Sequence, residues 1–351
     1  MEKETTSTLS RRQFLNTSAT LLAGTALVGN APFGFPAIIR NFNKPNSLIN
    51  GVQLGVITYS FRDMPDQSAE ATLKYIIDGG LSATELMGDP AEVFAGKPKS
   101  PVDFKTAFPL MRLRWEKKEM TEAQKAQLAD IDAQVAAYKK VVAKWRETAS
   151  LDKFVQLRKM FNDAGVSIYG YKPDAFGKDN TDAEIHFGMA AARILGASHV
   201  TVEHPSNDAM TLKLGQMAKK HKIRIAYHGH EQQTPTFWDA ALKQTKGNAI
   251  NIDLGHFVAA GYGADALDFL KKNHKKISSM HVKDRTTPAN GKDNLPWGQG
   301  NTPIPAVLQL MRDQKYKFPA TIELEYKVPE GSDSVKEVAK CVEFCKKALG
   351  R

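Results

Sequence analysis

Apolar residues along this chain fall into two alternating rhythms. Short, mostly apolar runs, several carrying Val or Ile, read as buried strands. Longer stretches with apolar positions three and four apart read as helices. Eight strands are predicted, at residues 52–59, 83–87, 166–171, 199–202, 223–227, 249–252, 277–280 and 320–322. Helical patterns lie between them at 69–79, which closes on the C-capping pair Gly79-Gly80, and at 183–195 and 210–221. Eight strand–helix alternations predict an α/β protein, a (β/α)8 TIM barrel, over an open doubly wound sheet. No Gly-x-Gly-x-x-Gly follows the first strand, so a dinucleotide fold has no support.

One segment departs from the rhythm. The 78 residues from Gly88 to Gly165 exceed the usual connection several-fold. Within them Thr121-Glu122-Ala123-Gln124 resembles a capping box. Leu128, Ile131, Val135, Tyr138, Val142 and Trp145 follow at spacings of three and four, the mark of a long helix with one apolar stripe. A helical insertion is therefore expected at about 89–160. Its stripe packs on the barrel wall or forms the interface of a homo-oligomer; a lid over the site is the functional alternative.

The chain has 351 residues, enough for a barrel of about 250 plus the insertion. Its net charge of +10 raises nucleic acid as a partner. The lysines argue otherwise: Lys271, Lys272, Lys275 and Lys276 lie along helical stretches with no arginine–aromatic interleaving. The two cysteines, Cys341 and Cys345, share one helix face four residues apart and read as core thiols, since a regular helix disfavours disulfide geometry.

At the N-terminus, Ser10-Arg11-Arg12-Gln13-Phe14-Leu15 precedes a mild apolar stretch at 21–28, the arrangement of a twin-arginine export signal. The stretch is too short to span a bilayer, and no cysteine follows it for a lipid anchor. The expected organisation is a signal at 1–31, a Pro- and Asn-rich leader at 32–50 and a barrel at 51–351. The expected location is periplasmic or otherwise exported.

The candidate chemistry lies at the ends of the last four strands. His228, Asp253, His281 and Glu323 each close one of them, at intervals of 25, 28 and 42 residues. In a barrel, the C-terminal ends of adjacent strands converge on one mouth. Two imidazoles and two carboxylates meeting there make a divalent-metal site. His256 stands three residues past Asp253, and His228-Gly229-His230-Glu231 supplies another corner. Side chains alternate along a strand, so Lys283 shares a face with His281, and Glu325 with Glu323. Taken singly, a strand-end histidine is more often a hydrogen-bonded structural residue than a ligand, and the Glu323/Glu325 pair also reads as a solvated edge. The joint occurrence at four consecutive strand ends points to a metal.

From about Val52 to its end, the chain resembles the xylose-isomerase-like TIM-barrel superfamily of sugar isomerases and epimerases, in particular its exported Bacteroidetes-type members. Asp253-x-x-His256, His281-x-Lys283-Asp284 and Glu323 carry the likeness. The resemblance implies a divalent metal held by Glu, Asp, His and Glu of the later strands. Asp253, His281 and Glu323 match the last three, and His228 stands where the first glutamate is expected. Either His228 ligates, or His230 does so in its place, or Glu203 reaches over from the fourth strand. The expectation taken forward is His228. A mixed set of this kind suits Co2+ or Zn2+ better than Mg2+, with Mn2+ the further candidate.

The expected function is a metal-dependent isomerase or epimerase that abstracts a proton α to the carbonyl of a free sugar or keto sugar. Glu323 or His256 would be the base, and Lys283 would stabilise the enediolate. Glu85, Lys172, Glu203, His230, Glu325 and, in the glycine-rich seventh connection, Trp297 are candidate substrate contacts. Tyr59, Arg62 and His204 sit at other strand ends. A 3-keto-glycoside lyase or sugar dehydratase is the alternative within enzymes. An apurinic-site endonuclease would need more histidine and acidic ligands. A non-catalytic periplasmic sugar-binding protein is the alternative outside catalysis.

Overall fold

The short apolar runs become strands because their side chains are buried on both faces, one toward the barrel axis and the other under a helix. A computed structural model describes residues 44–115 and 117–351. The expected export signal, and most of the leader, lie outside the described residues. The strands are β1 (Val52–Ile57), β2 (Ala83–Met87), β3 (Ser167–Lys172), β4 (His199–Glu203), β5 (Arg224–His228), β6 (Asn248–Asp253), β7 (Ile277–Val282) and β8 (Ala320–Ile322). Each lies parallel to the next, and β8 pairs with β1 to close the ring, giving the TIM barrel that the alternation predicts. Strand β1 stops short of its predicted end, because Thr58–Phe61 coils into a 3-10 turn.

At the opposite end from the mouth, Leu48–Ile49 folds back antiparallel onto Val52 and Gln53. The turn between them is Asn50-Gly51, with φ of 46° and 84°. Asn and Gly are the residues that accept positive φ at the two corners of a tight hairpin.

The outer helices start and stop where local chemistry requires. Thr181 and Glu184 form a reciprocal capping box at the head of Asp182–Leu195, and Gly196, at φ 88°, ends that helix in the left-handed region. Thr121 and Gln124 do the same for Glu122–Thr148. The N-terminal part of that long stripe packs Leu128 and Ile131 against Ala107 and Leu110 of helix Phe104–Trp115. Further along, Tyr138 donates its hydroxyl to Pro98 O, and Trp145 meets Phe187 edge-on at 5.4 Å. The stripe is thus covered within the chain.

The predicted insertion of 89–160 runs too far. Helix Asp152–Asp163 buries Phe154, Leu157 and Phe161, and Phe154 packs against Phe187 of the next helix, so it is a barrel-wall helix. Arg146, at the end of the long helix, ties the added segment down. Its guanidinium bonds both oxygens of Glu92 at 2.9 and 3.0 Å, Glu184 Oε1 at 2.9 Å and Asp174 O at 2.7 Å. Cys341 and Cys345 are buried free thiols. Among the described residues, no helix is long and apolar enough to cross a membrane.

Candidate metal centre and active site

Strand register decides what meets at the mouth. Asp253 and His281 are Cα partners across β6 and β7. His281 is likewise abreast of Thr321 in β8, which sets Glu323 beside it, one pleat further on. His281 Nδ1 lies 3.2 Å from Glu323 Oε2 and 4.0 Å from Asp253 Oδ2. Ligand atoms of His228, Asp253 and His281 all fall within 4.8 Å of one another. Asp253 Oδ1 caps the short helix Leu254–Phe257 by accepting the His256 N–H at 2.7 Å, which leaves Oδ2 to the interior.

These groups fit a divalent cation. Asp253 Oδ2 and His281 Nδ1 are buried and make no hydrogen bond, although Lys283 Nζ stands 3.0 Å from the former. Buried polar atoms left without partners are costly, and a cation between them removes the cost. The donors are also of the right kind, imidazole nitrogen and carboxylate oxygen. On the far side of His281, Glu85 Oε1 lies 3.2 Å from Nε2. That is the carboxylate support from behind which orients metal-bound histidines.

Lys283 is the cation of the acidic cluster. Its Nζ is 3.0 Å from Asp253 Oδ2, 3.0 Å from Glu323 Oε2 and 2.5 Å from Glu325 Oε2. Burial works against its charge, yet the carboxylates raise its pKa above the ordinary lysine value. Burial would also raise Glu323, but Lys283 and His281 overcome it and hold that carboxyl well below its usual range. Asp253 goes the other way: burial, opposed by Lys283, pushes it up to about 7. Burial opposes a charged His281 too, but Glu85 and Glu323 raise it to about 10.

Atoms of His228, His230 and His256 form a second close group. This one does not suit a metal. Arg285 Nη1 lies 2.5 Å from His256 Nδ1, and a guanidinium can only donate. His256 therefore accepts at Nδ1 and carries its proton at Nε2, which leaves no lone pair for an ion. Burial and the neighbouring Lys283, His230 and Arg285 also hold its pKa far below the imidazole range. The same facts count against His256 as a general base. Glu231 Oε1 accepts from Arg285 at 2.8 Å and completes this outer layer.

The remaining predicted residues are distributed as follows. Glu203 is half-exposed and accepts from Lys172 Nζ at 2.8 Å, with His230 Nε2 at 3.8 Å from its other oxygen. It therefore stands in the rim and not among the buried donors. His230 is likewise rim-exposed. Glu325 is held on Lys283. Trp297 meets Phe344 of the C-terminal helix edge-on at 5.9 Å. Arg62 stacks over Tyr59, 4.5 Å from the ring centre, and donates to Leu324 O at 2.8 Å.

Sequence reasoning assigned no role to two groups here. Asp284 pins the glycine-rich loop, taking the N–H groups of Gly298 at 2.8 Å, Gly300 at 2.9 Å and Thr302 at 3.1 Å. A Cβ on Gly300 would come 2.3 Å from Asp284 Oδ1, so that glycine is required by close approach. Arg285, next along, sits under His256 and carried no signal beyond its place after a strand.

The chain matches the xylose isomerase-like TIM barrel family over residues 141–347. No curated protein matches it. Among solved structures it is similar to a sugar phosphate isomerase/epimerase from Parabacteroides distasonis, at 17% identity over 86% of this chain and 96% of that one, with a TM-score of 0.52. A probable 3-DHS dehydratase from Bacillus anthracis is 13% identical over 83% of this chain and 97% of that one, TM-score 0.53. A 3-keto-D-glucoside 4-epimerase from E. coli is 10% identical over 84% of this chain and 99% of that one, TM-score 0.54. At these identities the likeness is one of fold.

Proposed function

We propose, for a chain that belongs to the xylose isomerase-like TIM barrel family, a metal-dependent isomerase or epimerase that removes a proton α to the carbonyl of a free sugar or keto sugar. The observation that carries this reading is the buried convergence of His228, Asp253 and His281 within 4.8 Å, with Glu323 beside His281. His228, Asp253, His281 and Glu323 would hold the ion. A divalent ion in that place supplies Lewis acidity to neighbouring carbonyl and hydroxyl oxygens, which makes the intervening carbon acid.

The protein's own groups do the rest. Glu323, kept ionised by Lys283, takes the carbon-bound proton, and the electron pair moves to the carbonyl oxygen. Lys283, 3.0 Å from that carboxylate, faces the negative charge that develops. His256 has Nε2–H to offer as a neutral hydrogen-bond donor, a role consistent with its engaged Nδ1. Lys172, Glu203 and His230 would contact sugar hydroxyls from the rim. For an isomer Glu323 returns the proton to the next carbon while the α-hydroxyl proton passes to the former carbonyl oxygen; for an epimer the α carbon takes a proton from solvent on its opposite face. Arg11-Arg12 and the apolar stretch behind them support an exported setting.

A second reading is favoured by one observation. Position 228 is an imidazole and not a carboxylate, so the site has one buried acid/base carboxylate at Glu323 without a second facing it. A lyase acting on a 3-keto-glycoside, or a dehydratase, needs one base at carbon and expels the β-substituent with the electron pair.

Incubating the Mn2+- or Co2+-loaded protein in D2O with aldoses, ketoses and 3-keto-glucosides tests both. NMR will show deuterium at the α carbon, with an epimer or isomer in the first case and an unsaturated product in the second. Asp253→Ala should abolish exchange while retaining the fold. Exchange that persists in that variant overturns the metal mechanism.

A further inference from the structure

Three polar side chains sit inside the barrel where apolar ones would pack. They are His199 of β4, Asn251 of β6 and Ser279 of β7, all fully buried. Asn251 and Ser279 are Cα partners, and two residues on, Asp253 and His281 are partners too. The three therefore form a polar layer one step below the mouth. Such a layer is costly unless every member is satisfied.

It is satisfied by one unbroken line. His228 Nδ1 lies 2.8 Å from Asn251 Oδ1. Asn251 Nδ2 donates to Ser279 Oγ at 2.7 Å. Ser279 Oγ lies 2.9 Å from His199 Nε2. His199 Nδ1 lies 3.0 Å from Ser198 Oγ, and the Ser198 hydroxyl donates to Tyr169 O at 3.1 Å.

The direction of the line is set at that last contact. A backbone carbonyl can only accept, so Ser198 commits its proton there and takes the Nδ1–H of His199. His199 Nε2 then holds a lone pair and accepts from the Ser279 hydroxyl. The Ser279 oxygen accepts from the Asn251 amide, whose carbonyl oxygen accepts from His228 Nδ1–H. Burial lowers His199 to about 4, so the ring at the pivot is neutral at neutral pH. His228 is left with a bare Nε2.

We propose that His199, Ser279 and Asn251 are positioning residues that lock His228 in its Nδ1–H tautomer, making Nε2 a standing lone-pair donor to the mouth. The consequence for metal affinity rests on reading His228 as a ligand; the tautomer does not. The lock also deprives His228 of any proton to deliver from Nε2, so His228 does not replace a missing acid in the reaction.

The test uses the full chain with 15N-labelled histidine, the His228 signal being assigned by His228→Gln. Long-range proton–nitrogen correlation should show His228 protonated at Nδ1 in the unsubstituted protein. Asn251→Leu should give a mixed or Nε2–H population and weaken Zn2+ binding about 10- to 100-fold by calorimetric titration. Ser279→Ala, which frees the amide to turn over, should move both readouts in the same direction. Asn251→Asp, which keeps an oxygen toward His228, should retain the Nδ1–H tautomer. His228 protonated at Nε2 in the unsubstituted protein, or unchanged in both Asn251→Leu and Ser279→Ala, overturns the lock. If Asn251→Leu does not fold, Ser279→Ala decides alone. A protein that takes up no Zn2+ yet shows the tautomer shifts loses the metal reading and keeps the lock. One that binds Zn2+ with a tautomer indifferent to Asn251 does the reverse.

Discussion

Glu85 braces His281 from behind: its Oε1 lies 3.2 Å from Nε2, and both side chains are wholly buried. The contact turns Nδ1 toward Asp253 and Glu323. Supports of this kind change affinity by about 10- to 100-fold when removed. Glu85→Ala should therefore weaken Zn2+ or Co2+ binding by that factor, measured by titration calorimetry. An unchanged affinity in a folded Glu85→Ala protein would show that the brace is dispensable.

The buried His199 gives the fold a defined acid sensitivity. Its pKa falls from 6.5 to about 4, because burial disfavours the imidazolium. The unfolded chain takes the proton first as pH drops. The stability that neutral His199 contributes is thus complete above pH 6.5 and lost progressively down to about 4. The full loss is about 3 kcal/mol. Urea unfolding at pH 7 and pH 4.5 should show a steeper loss in the unsubstituted protein than in His199→Gln. Parallel losses in the two proteins would contradict the assignment.

The strand ends that build this site were legible, and the layer beneath them was not read. Short apolar runs closed by His228, Asp253, His281 and Glu323 stood out because a polar residue abruptly ends an apolar run. Asn251 and Ser279 lie inside those runs and pass as strand irregularities. Period-two alternation marks them: each sits two residues before a mouth residue and so faces the same interior. Arg285 lies beyond β7 in a two-residue ladder, Asp284–Arg285 against Asn294–Leu295, too short to show a period, and its contact with His256 depends on three-dimensional curvature. The end of the insertion was misplaced because a helix of the wall and a helix of an insertion carry the same apolar spacing.

Arg146 binds the added helices to the barrel through Glu92 and Glu184, with side chains of all three almost wholly buried. Removing one partner strands buried charge, which costs about 3–5 kcal/mol. Arg146→Met should lower the urea midpoint accordingly, while Arg146→Met with Glu92→Leu should recover part of the loss. A single variant as stable as the unsubstituted protein would mean that these pairs contribute nothing net.

The proposed chemistry depends most on four side chains from four consecutive strands holding one ion. A crystal grown with Co2+ and measured across the cobalt absorption edge answers this directly. The expected result is one anomalous peak bounded by His228 Nε2, Asp253 Oδ2, His281 Nδ1 and a Glu323 oxygen. A peak at the His230–His256 group, or no peak within reach of Asp253 and His281, would contradict it.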